Sequence, residues 1–198
     1  MEPSDAGTDK ATWRAEVLRS RRSTPLERRS EESAALVGFV TEADLIPGSR
    51  TDTICAYVPL ASEPCTLDFL DALRARGARV LVPVTGDPGP LSWAEYGGRD
   101  SLMPGPFGID LPTGDVLEPS EIRSAGIVFV PALAVDRRGV RLGRGAGYYD
   151  RTLTLAAPDA PLIAVVRDDE LVSELPEDPH DVRMNYALTP NRGLIALT

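Results

Sequence analysis

Residues 130–151 read VPALAVDRRGVRLGRGAGYYDR. The stretch begins as an apolar strand, passes through a polar turn, and reaches alternating glycines at 143, 145 and 147 just before a predicted helix. Glycines allow backbone N–H groups to approach an anion closely, and the start of a helix adds partial positive charge. Arg141 and Arg144 lie in the same loop, where planar guanidinium groups suit phosphate or carboxylate. The stretch therefore predicts an anion-binding loop between a buried strand and a helix.

The spacing within this loop excludes two familiar phosphate motifs. No Gly-Lys-Ser/Thr follows, as it would in a Walker A loop, and the glycines run Gly-x-Gly-x-Gly rather than in the dinucleotide fingerprint. A purely structural turn is the alternative, and the two arginines argue against it. Asp150 follows in the first turn of the predicted helix. A carboxylate at this position either holds a divalent metal beside phosphate or interacts only with the helix start.

The rest of the chain alternates strands with helices. We predict helices at 10–22, 24–43, 66–76, 119–124 and 148–156, and strands at 53–58, 79–84, 91–96, 126–135, 162–166 and 194–197. Residues 53–84 form a β-α-β unit, which implies parallel strands and a right-handed crossover. We therefore expect an α/β fold whose largely parallel central sheet is covered by helices on both faces, in three layers. Ligands bind in such sheets beyond the carboxyl ends of the strands, where the glycine-rich loop lies.

Length and composition indicate one domain. The chain has 198 residues, of which 42% are hydrophobic and 26% charged, as in ordinary globular proteins. We expect residues 1–9 to be a flexible tail and residues 10–198 to form a single domain. Residues 85–117 are rich in glycine and proline, and an irregular segment of this length is more often functional than idle. From Glu170 to the last strand we expect irregular chain.

Charge and residue usage exclude several classes of function. The 21 basic against 30 acidic residues give a net charge of −9, which argues against a general nucleic-acid binder. No apolar run reaches the ~18 residues of a membrane-spanning helix, and the polar amino terminus is unlike a signal peptide. Cys55 and Cys65 are too few for a disulfide scaffold, and His180 is the single histidine. We expect a cytoplasmic monomer without a membrane or nucleic-acid partner.

The first two predicted helices are basic within this acidic chain. Lys10 is the single lysine of the sequence, and arginines surround the apolar residues Trp13 and Val17. A solvated arginine face is one explanation, and a contribution to an anion site is the other. The pattern alone leaves both open.

Two runs of residues carry a resemblance to a known family. RLGRGAGYYD at 141–150, preceded by VPALAVD at 130–136, resembles the 5-formyltetrahydrofolate cyclo-ligases, also called methenyltetrahydrofolate synthetases. The resemblance extends from Lys10 to about Thr189. It implies that 5-formyltetrahydrofolate and ATP react to give 5,10-methenyltetrahydrofolate, ADP and phosphate, with Mg²⁺ as cofactor and both substrates as the only partners.

The resemblance also implies a role for each matching residue. The nucleotide would be bound by Lys10, Arg14, Arg141, Leu142, Gly143, Arg144, Gly145, Ala146, Gly147, Tyr148 and Tyr149. The folate substrate would be bound by Tyr57, Val58, Glu63, Arg144, Gly145, Ala146, Gly147 and Tyr148. Arg144 and Tyr148 would act in catalysis, and Asp150 and Asp181 would share one Mg²⁺. Ala146 and Asn185 depart from the family pattern, which leaves their effects on ATP and metal binding open.

Two further functions compete with the ATP-dependent cyclo-ligase. A paralogue acting on another small anionic metabolite would keep the phosphate loop but lose the folate side of the site. A folate- or nucleotide-binding module would bind without turnover, and it should lack Asp150 or the loop arginines. All of these residues are present.

Overall fold

A computed structural model describes residues 9–42, 46, 48–86 and 88–198. Within them the helices are α1 (Lys10–Ser23), α2 (Leu26–Glu42), α3 (Leu67–Ala75) and α4 (Tyr148–Leu153). The strands are β1 (Thr53–Cys55), β2 (Arg79–Val84), β3 (Ser92–Glu95), β4 (Leu102–Pro104), β5 (Asp110–Pro112), β6 (Ile127–Pro131), β7 (Ala134–Asp136), β8 (Arg141–Leu142), β9 (Leu162–Val165), β10 (Leu171–Val172), β11 (Tyr186–Thr189) and β12 (Gly193–Ala196). Short 3-10 helices lie at Arg99–Ser101, Pro106–Gly108, Pro119–Ser124 and Asp168–Glu170.

Seven strands form the central sheet, in the order β12-β11-β9-β6-β1-β2-β3. The five inner strands are parallel to their neighbours, and β12 and β3 pair antiparallel at the two edges. In register, Ile54 of β1 lies beside Val80 of β2 and Ile127 of β6. The predicted parallel sheet is therefore confirmed.

Helices cover both faces of this sheet, because alternate strand residues point to opposite sides. Helices α2 and α3 pack on one face, where Leu36 and Phe69 meet Ile54 of β1. Helix α4 and the 3-10 helix at Pro119–Ser124 pack on the other, where Leu153 and Ile122 join the cluster that contains Cys55 of β1. The three-layer single-domain α/β fold expected from the sequence is confirmed.

The prediction of one continuous strand over 126–135 is wrong. It is divided into β6, in the central sheet, and β7, which belongs to a three-stranded sheet in the order β10-β7-β8. Pro131 ends the first part because proline has no N–H to continue a strand ladder. Helix α1 packs beside the smaller sheet, where Trp13 and Val17 contact the cluster around Leu133.

The carboxyl-terminal part of the chain is more regular than expected. β11 pairs with β9 on one side and β12 on the other, within the segment expected to be irregular. The helix predicted to end at residue 156 ends at Leu153. The tail predicted over 1–9 lies outside the described residues except for Asp9, whose carboxylate accepts a hydrogen bond from Thr12 N and caps α1. Among the helices described, none has the length and apolarity needed to span a membrane.

Candidate active site

A cavity of about 710 Å³ opens at the carboxyl ends of β1, β2 and β6. This edge of the sheet is where ligands bind in open α/β folds. The chain that follows β1 supplies Tyr57, Val58 and Glu63 to its wall, and the end of β6 supplies Pro131. The cavity is further lined by Lys10, Arg14, Arg141, Gly143, Arg144, Gly145, Ala146, Gly147, Tyr148, Tyr149, Asp150 and Asp181.

Every site residue predicted from the sequence lines this cavity except Leu142. The Leu142 side chain is buried in the cluster beneath α1. Its backbone carbonyl accepts a hydrogen bond from Leu133 N at 2.8 Å. Leu142 therefore supports the loop from below, and its side chain faces away from the cavity.

The glycine-rich loop, residues 143–147, adopts a conformation that depends on glycine. Gly145 and Gly147 have φ angles of +101° and +69°, which L-residues with a side chain rarely adopt. A Cβ at Gly143 would come within 2.6 Å of Arg141 Nη1. Arg14 Nε donates to the Gly143 carbonyl at 2.9 Å, which ties α1 to the loop. These contacts keep the loop backbone open toward the cavity, as anion binding requires.

Of the two arginines expected in the loop, Arg144 lies within it, whereas Arg141 lies in β8 just before it, and their environments differ. Arg141 is buried, donates from Nη2 to an Asp150 carboxylate oxygen at 2.6 Å, and lies 5.7 Å from the centre of the Tyr149 ring. Arg144 is exposed and lines the cavity. Arg144 can therefore reach a ligand directly, whereas Arg141 is held in place by Asp150 and Tyr149.

Lys10, at the start of α1, reaches the carboxyl-terminal part of the chain. Its Nζ donates to Asp181 Oδ2 at 2.6 Å and to Asp178 Oδ2 at 2.7 Å. Burial lowers the pKa of Lys10, but the hydrogen bonds to both carboxylates outweigh it and raise the pKa above its ordinary value. The hydrogen bond from Lys10 also lowers the pKa of Asp178. Lys10 is therefore a protonated ammonium at the edge of the cavity.

The carboxylates at this edge form a possible cation site. Asp178, His180 and Asp181 present ligand atoms that lie within 4.8 Å of one another. Asp150, paired with Arg141, is not part of this group. Asp178 was not singled out in the sequence, although it stands three residues before Asp181, a spacing that brings both side chains to one turn of chain.

The chain after β1 also contributes to the cavity wall. Glu63 is buried, and its Oε2 accepts a hydrogen bond from Leu60 N at 3.0 Å. Burial raises the pKa of Glu63 above its ordinary value, although the Leu60 hydrogen bond and the positive charges of Arg21 and Arg144 act in the opposite direction. The Tyr57 hydroxyl lies 3.1 Å from Cys65 Sγ. Tyr57 thus presents its ring to the cavity while its hydroxyl bonds within the protein.

The two tyrosines that begin α4 also line the cavity. Tyr148 donates from its hydroxyl to the Gly86 carbonyl at 3.1 Å, and the Arg151 guanidinium lies 5.5 Å from the centre of its ring. The Tyr149 hydroxyl is buried, and burial raises its pKa well above the ordinary value. Tyr148 therefore joins the glycine-rich loop to the chain that follows β2.

An apolar wall completes the cavity, and no residue of it was predicted. Leu91 lines it, and Pro106, Ile109 and Leu111 approach it from the segment around the β4–β5 hairpin. All four belong to the segment 85–117, whose length and composition suggested a function without indicating which residues face a ligand. The arrangement suits a ligand with an anionic end at the loop and a flat or apolar part against this wall.

Comparison with known proteins agrees with this geometry. Residues 6–190 match the 5-formyltetrahydrofolate cyclo-ligase family. A 5-formyltetrahydrofolate cyclo-ligase of Mycolicibacterium smegmatis is 48% identical over 193 residues, covering 95% of this chain and 97% of that protein. The enzyme of the same name from Escherichia coli is 25% identical over 181 residues, covering 89% and 98%.

Solved structures show the same fold. A 5,10-methenyltetrahydrofolate synthetase from Aquifex aeolicus superposes with a TM-score of 0.77 at 24% identity, covering 95% of this chain and 92% of that one. A 5,10-methenyltetrahydrofolate synthetase from Mycoplasma pneumoniae gives 0.71 at 21% identity, covering 91% and 98%.

Proposed function

Because the chain belongs to the 5-formyltetrahydrofolate cyclo-ligase family, we propose that it converts 5-formyltetrahydrofolate and ATP to 5,10-methenyltetrahydrofolate, ADP and phosphate. The observation that carries this proposal is a cavity lined both by cationic groups and by a buried carboxyl group. The glycine-rich loop, Arg144 and Lys10 supply the cationic part of the lining, and Glu63 supplies the carboxyl group. Such a cavity can hold a phosphate donor and a heteroaromatic acceptor side by side.

The chemistry explains why a phosphate donor is needed. The formyl oxygen is amide-like and is a poor leaving group, so we propose that it attacks the γ-phosphorus and takes the phosphoryl group from ATP. The second folate nitrogen then attacks the activated carbon and closes the five-membered ring. Phosphate leaves with the former formyl oxygen, and the attacking nitrogen releases its proton. Catalysis of this kind depends mainly on positioning and on neutralising developing charge.

The residues that line the cavity divide between the two substrates. We propose that Lys10, Arg14, Arg141 and the loop from Gly143 through Ala146 and Gly147 to Tyr149 hold the nucleotide. Tyr57, Val58 and Glu63 would contact the folate, and the loop itself would touch both. Arg144 would neutralise charge on the transferred phosphoryl group, and Tyr148 would orient the formyl group.

We propose Mg²⁺ as the cofactor, held by Asp150 and Asp181. The donor chemistry fits, since Mg²⁺ prefers carboxylate oxygens and Asp178 adds another close to Asp181. Mg²⁺ would supply charge neutralisation for the phosphates of ATP. Lys10 pairs with Asp181 and Arg141 pairs with Asp150, and these ion pairs hold both carboxylates in position. Asp150→Asn and Asp181→Asn should each raise the Mg²⁺ concentration needed for half-maximal rate. The control is Asp159→Asn, at an exposed position, which should leave that concentration unchanged.

The decisive test is turnover by the purified chain. 5-Formyltetrahydrofolate, Mg²⁺ and ATP are mixed with the protein, and the absorbance of the methenyl product is followed with and without ATP. We expect product only when ATP is present, with ADP formed in equal amount. Well-folded protein that binds both ligands without forming product would instead indicate a binding module. Turnover of ATP with a different acceptor would indicate a paralogue of altered specificity.

We also propose that the protein acts as a monomer in the cytoplasm, on small molecules and without a nucleic-acid or membrane partner. Cys55 and Cys65 are buried free thiols, as suits a reducing compartment. The net charge of −9 opposes binding to polyanions. Sedimentation analysis at assay concentrations tests the oligomeric state, and a dimer mass would contradict it.

A further inference from the structure

Four charged side chains from three segments of the chain form a buried network beside the cavity. Arg21, Glu32, Arg167 and Glu170 are 1%, 5%, 2% and 6% exposed. Arg21 donates from Nε to Glu170 Oε1 at 2.7 Å and from Nη2 to Glu170 Oε2 at 2.8 Å. Arg167 donates from Nε to Glu32 Oε2 at 2.7 Å. The two positive and two negative charges of these four side chains balance, and the partly exposed Arg28 adds a further hydrogen bond to Glu32 Oε1 at 2.7 Å.

Each arginine of the network also donates a hydrogen bond to a backbone carbonyl group at the cavity wall. Arg21 Nη2 donates to the Ala132 carbonyl at 2.7 Å, and Ala132 lines the cavity after β6. Arg167 Nη1 donates to the Ser62 carbonyl at 3.1 Å, next to the cavity residue Glu63. The network therefore touches two segments that shape the site from behind.

Helix α1 connects this network to the cationic part of the cavity lining. Lys10, Arg14, Val17 and Arg21 follow one another at spacings of four, three and four residues, which places them on one helix face. Lys10 and Arg14 line the cavity, and Arg21 holds the other end of the helix. A slip of α1 by one residue would move Lys10 about 1.5 Å along the axis and about 100° around it.

Stability alone is a weak reason for such a network. Buried ion pairs often contribute no more to stability than well-packed apolar side chains of similar volume. What the bidentate Arg21–Glu170 pair provides is direction, because a planar fork fixes the angle as well as the distance. Directional fixing matters where side chains must meet a substrate in one geometry.

We propose that Arg21 and Glu170 are positioning residues for the reaction. Together they fix α1 against the end of β6, so that Lys10 and Arg14 reach the nucleotide in the correct register. Glu170 Oε2 also accepts a hydrogen bond from Arg167 N at 2.8 Å, which stabilises the position of Arg167. The Arg167 side chain in turn donates to the Ser62 carbonyl. This inference rests on the proposed function, and it assigns the network a task distinct from contact with substrate.

The test separates folding from positioning with three variants. Arg21→Met leaves Glu170 buried without its main partner, and we expect a lower urea midpoint. Arg21→Met combined with Glu170→Gln removes one charge of each sign and keeps an acceptor for Arg167 N, so the midpoint should recover. Arg21→Lys keeps the charge but loses the fork.

Steady-state kinetics then show whether the network positions residues for the reaction or only stabilises the fold. We expect the double variant and Arg21→Lys to fold cooperatively, yet to show KM for ATP raised about tenfold or more and kcat lowered. Arg22→Met, at the exposed neighbouring position of α1, is the control and should behave as wild type. If the double variant regains both its urea midpoint and wild-type KM and kcat, the network is merely structural and the proposal is overturned. If the double variant fails to fold, Arg21→Lys with wild-type kinetics overturns it equally.

A measurement of nucleotide binding makes this test independent of the proposed reaction. The dissociation constant for Mg-ATP, measured by calorimetry, should rise in the same two variants and stay constant in Arg22→Met. A wild-type protein that binds nucleotide but forms no methenyl product would defeat the proposed function alone. Unchanged nucleotide affinity in the folded variants would defeat the positioning role alone.

Discussion

Lys10 Nζ lies 2.6 Å from a carboxylate oxygen of Asp181, although the two residues are 171 positions apart in the sequence. The resemblance to the family implies different ligands for them, the nucleotide for Lys10 and the metal for Asp181. Their contact shows that the two proposed subsites share one edge of the cavity. Asp178, at 2.7 Å from the same ammonium, adds a second carboxylate to that edge. One ammonium against two carboxylates leaves these three side chains with one net negative charge.

Replacing Lys10 tests how much of nucleotide binding depends on this ammonium. Lys10→Met keeps the unbranched shape of the side chain, one atom shorter, and removes its charge, so we expect KM for ATP to rise about tenfold with little change in the urea midpoint. Steady-state kinetics at fixed Mg²⁺ measure it. Arg183→Gln is the matched control, because Arg183 forms an exposed ion pair with Glu177 at 2.7 Å in the same segment. Equal KM in Lys10→Met and wild type would contradict the role of Lys10.

Arg144 offers the clearest separation of activity from stability. Its side chain is exposed, so Arg144→Ala should leave the free energy of unfolding within about 0.5 kcal/mol of wild type. Loss of a cation that neutralises the transferred phosphoryl group should lower kcat about 100-fold. The exposed Arg137 of the preceding turn provides the control, since Arg137→Ala should change neither quantity. A kcat that survives Arg144→Ala would remove Arg144 from the catalytic machinery.

The position of the site could be predicted because it depends on local pattern. Alternating strands and helices imply a parallel sheet, and the glycine spacing at 143–147 marks a loop at its carboxyl edge. Both are properties of neighbouring residues and remain visible without the fold. β11 was missed because four residues between Asn185 and Pro190 offer too short an apolar pattern to detect.

Contacts between distant residues could not be predicted from such patterns. The arginines of α1 illustrate this, since they lie in three different environments. Arg19 and Arg22 are exposed, Arg14 faces the cavity, and Arg21 is buried against Glu170, 149 residues away. Helical spacing groups Arg14 with Arg21, but only the tertiary fold supplies the carboxylate that makes burial of Arg21 possible.

Asp136 should be a major determinant of stability near the site. Its carboxylate is fully buried and accepts hydrogen bonds from the backbone of Arg138, Val140 and Leu175 and from the Arg138 side chain, at 2.9–3.0 Å. Asp136→Asn keeps one oxygen acceptor but replaces the other with an NH₂ group, which cannot accept hydrogen bonds from the remaining N–H donors. We expect a loss of about 3 kcal/mol in the free energy of unfolding, measured by urea denaturation.

The control for Asp136 is a carboxylate outside any buried network. Asp115 is exposed, so Asp115→Asn should change the free energy of unfolding by less than about 0.5 kcal/mol. Because Leu175 N bonds to Asp136, the variant should also loosen the chain that leads to Asp178 and Asp181. Faster amide exchange there is expected. An Asp136→Asn protein as stable as wild type would show that the turn does not depend on this carboxylate.

Glu63 should make stability depend on pH in an unusual direction. Burial raises its pKa in the folded protein above the ordinary 4.5, so the native state holds the proton more tightly than the unfolded chain does. Stability from this group is complete below the ordinary pKa, falls as pH rises through the window up to the native pKa, and then stays constant. Most paired carboxylates act in the opposite direction, since their native pKa is lowered.

Comparison with Glu63→Gln isolates this contribution. The amide oxygen of Gln keeps an acceptor for Leu60 N but carries no titrating proton, so all other groups cancel in the difference between the two proteins. We expect the free energy of unfolding of wild type minus that of Glu63→Gln to decrease as pH rises from about 4.5, as measured by urea denaturation across the acidic range. A difference that increases with pH would mean that Glu63 is held as a carboxylate in the folded protein, with Arg144 and Arg21 outweighing burial. In that case Glu63 would meet the folate as an acceptor only, and could not also donate a hydrogen bond from a protonated carboxyl group.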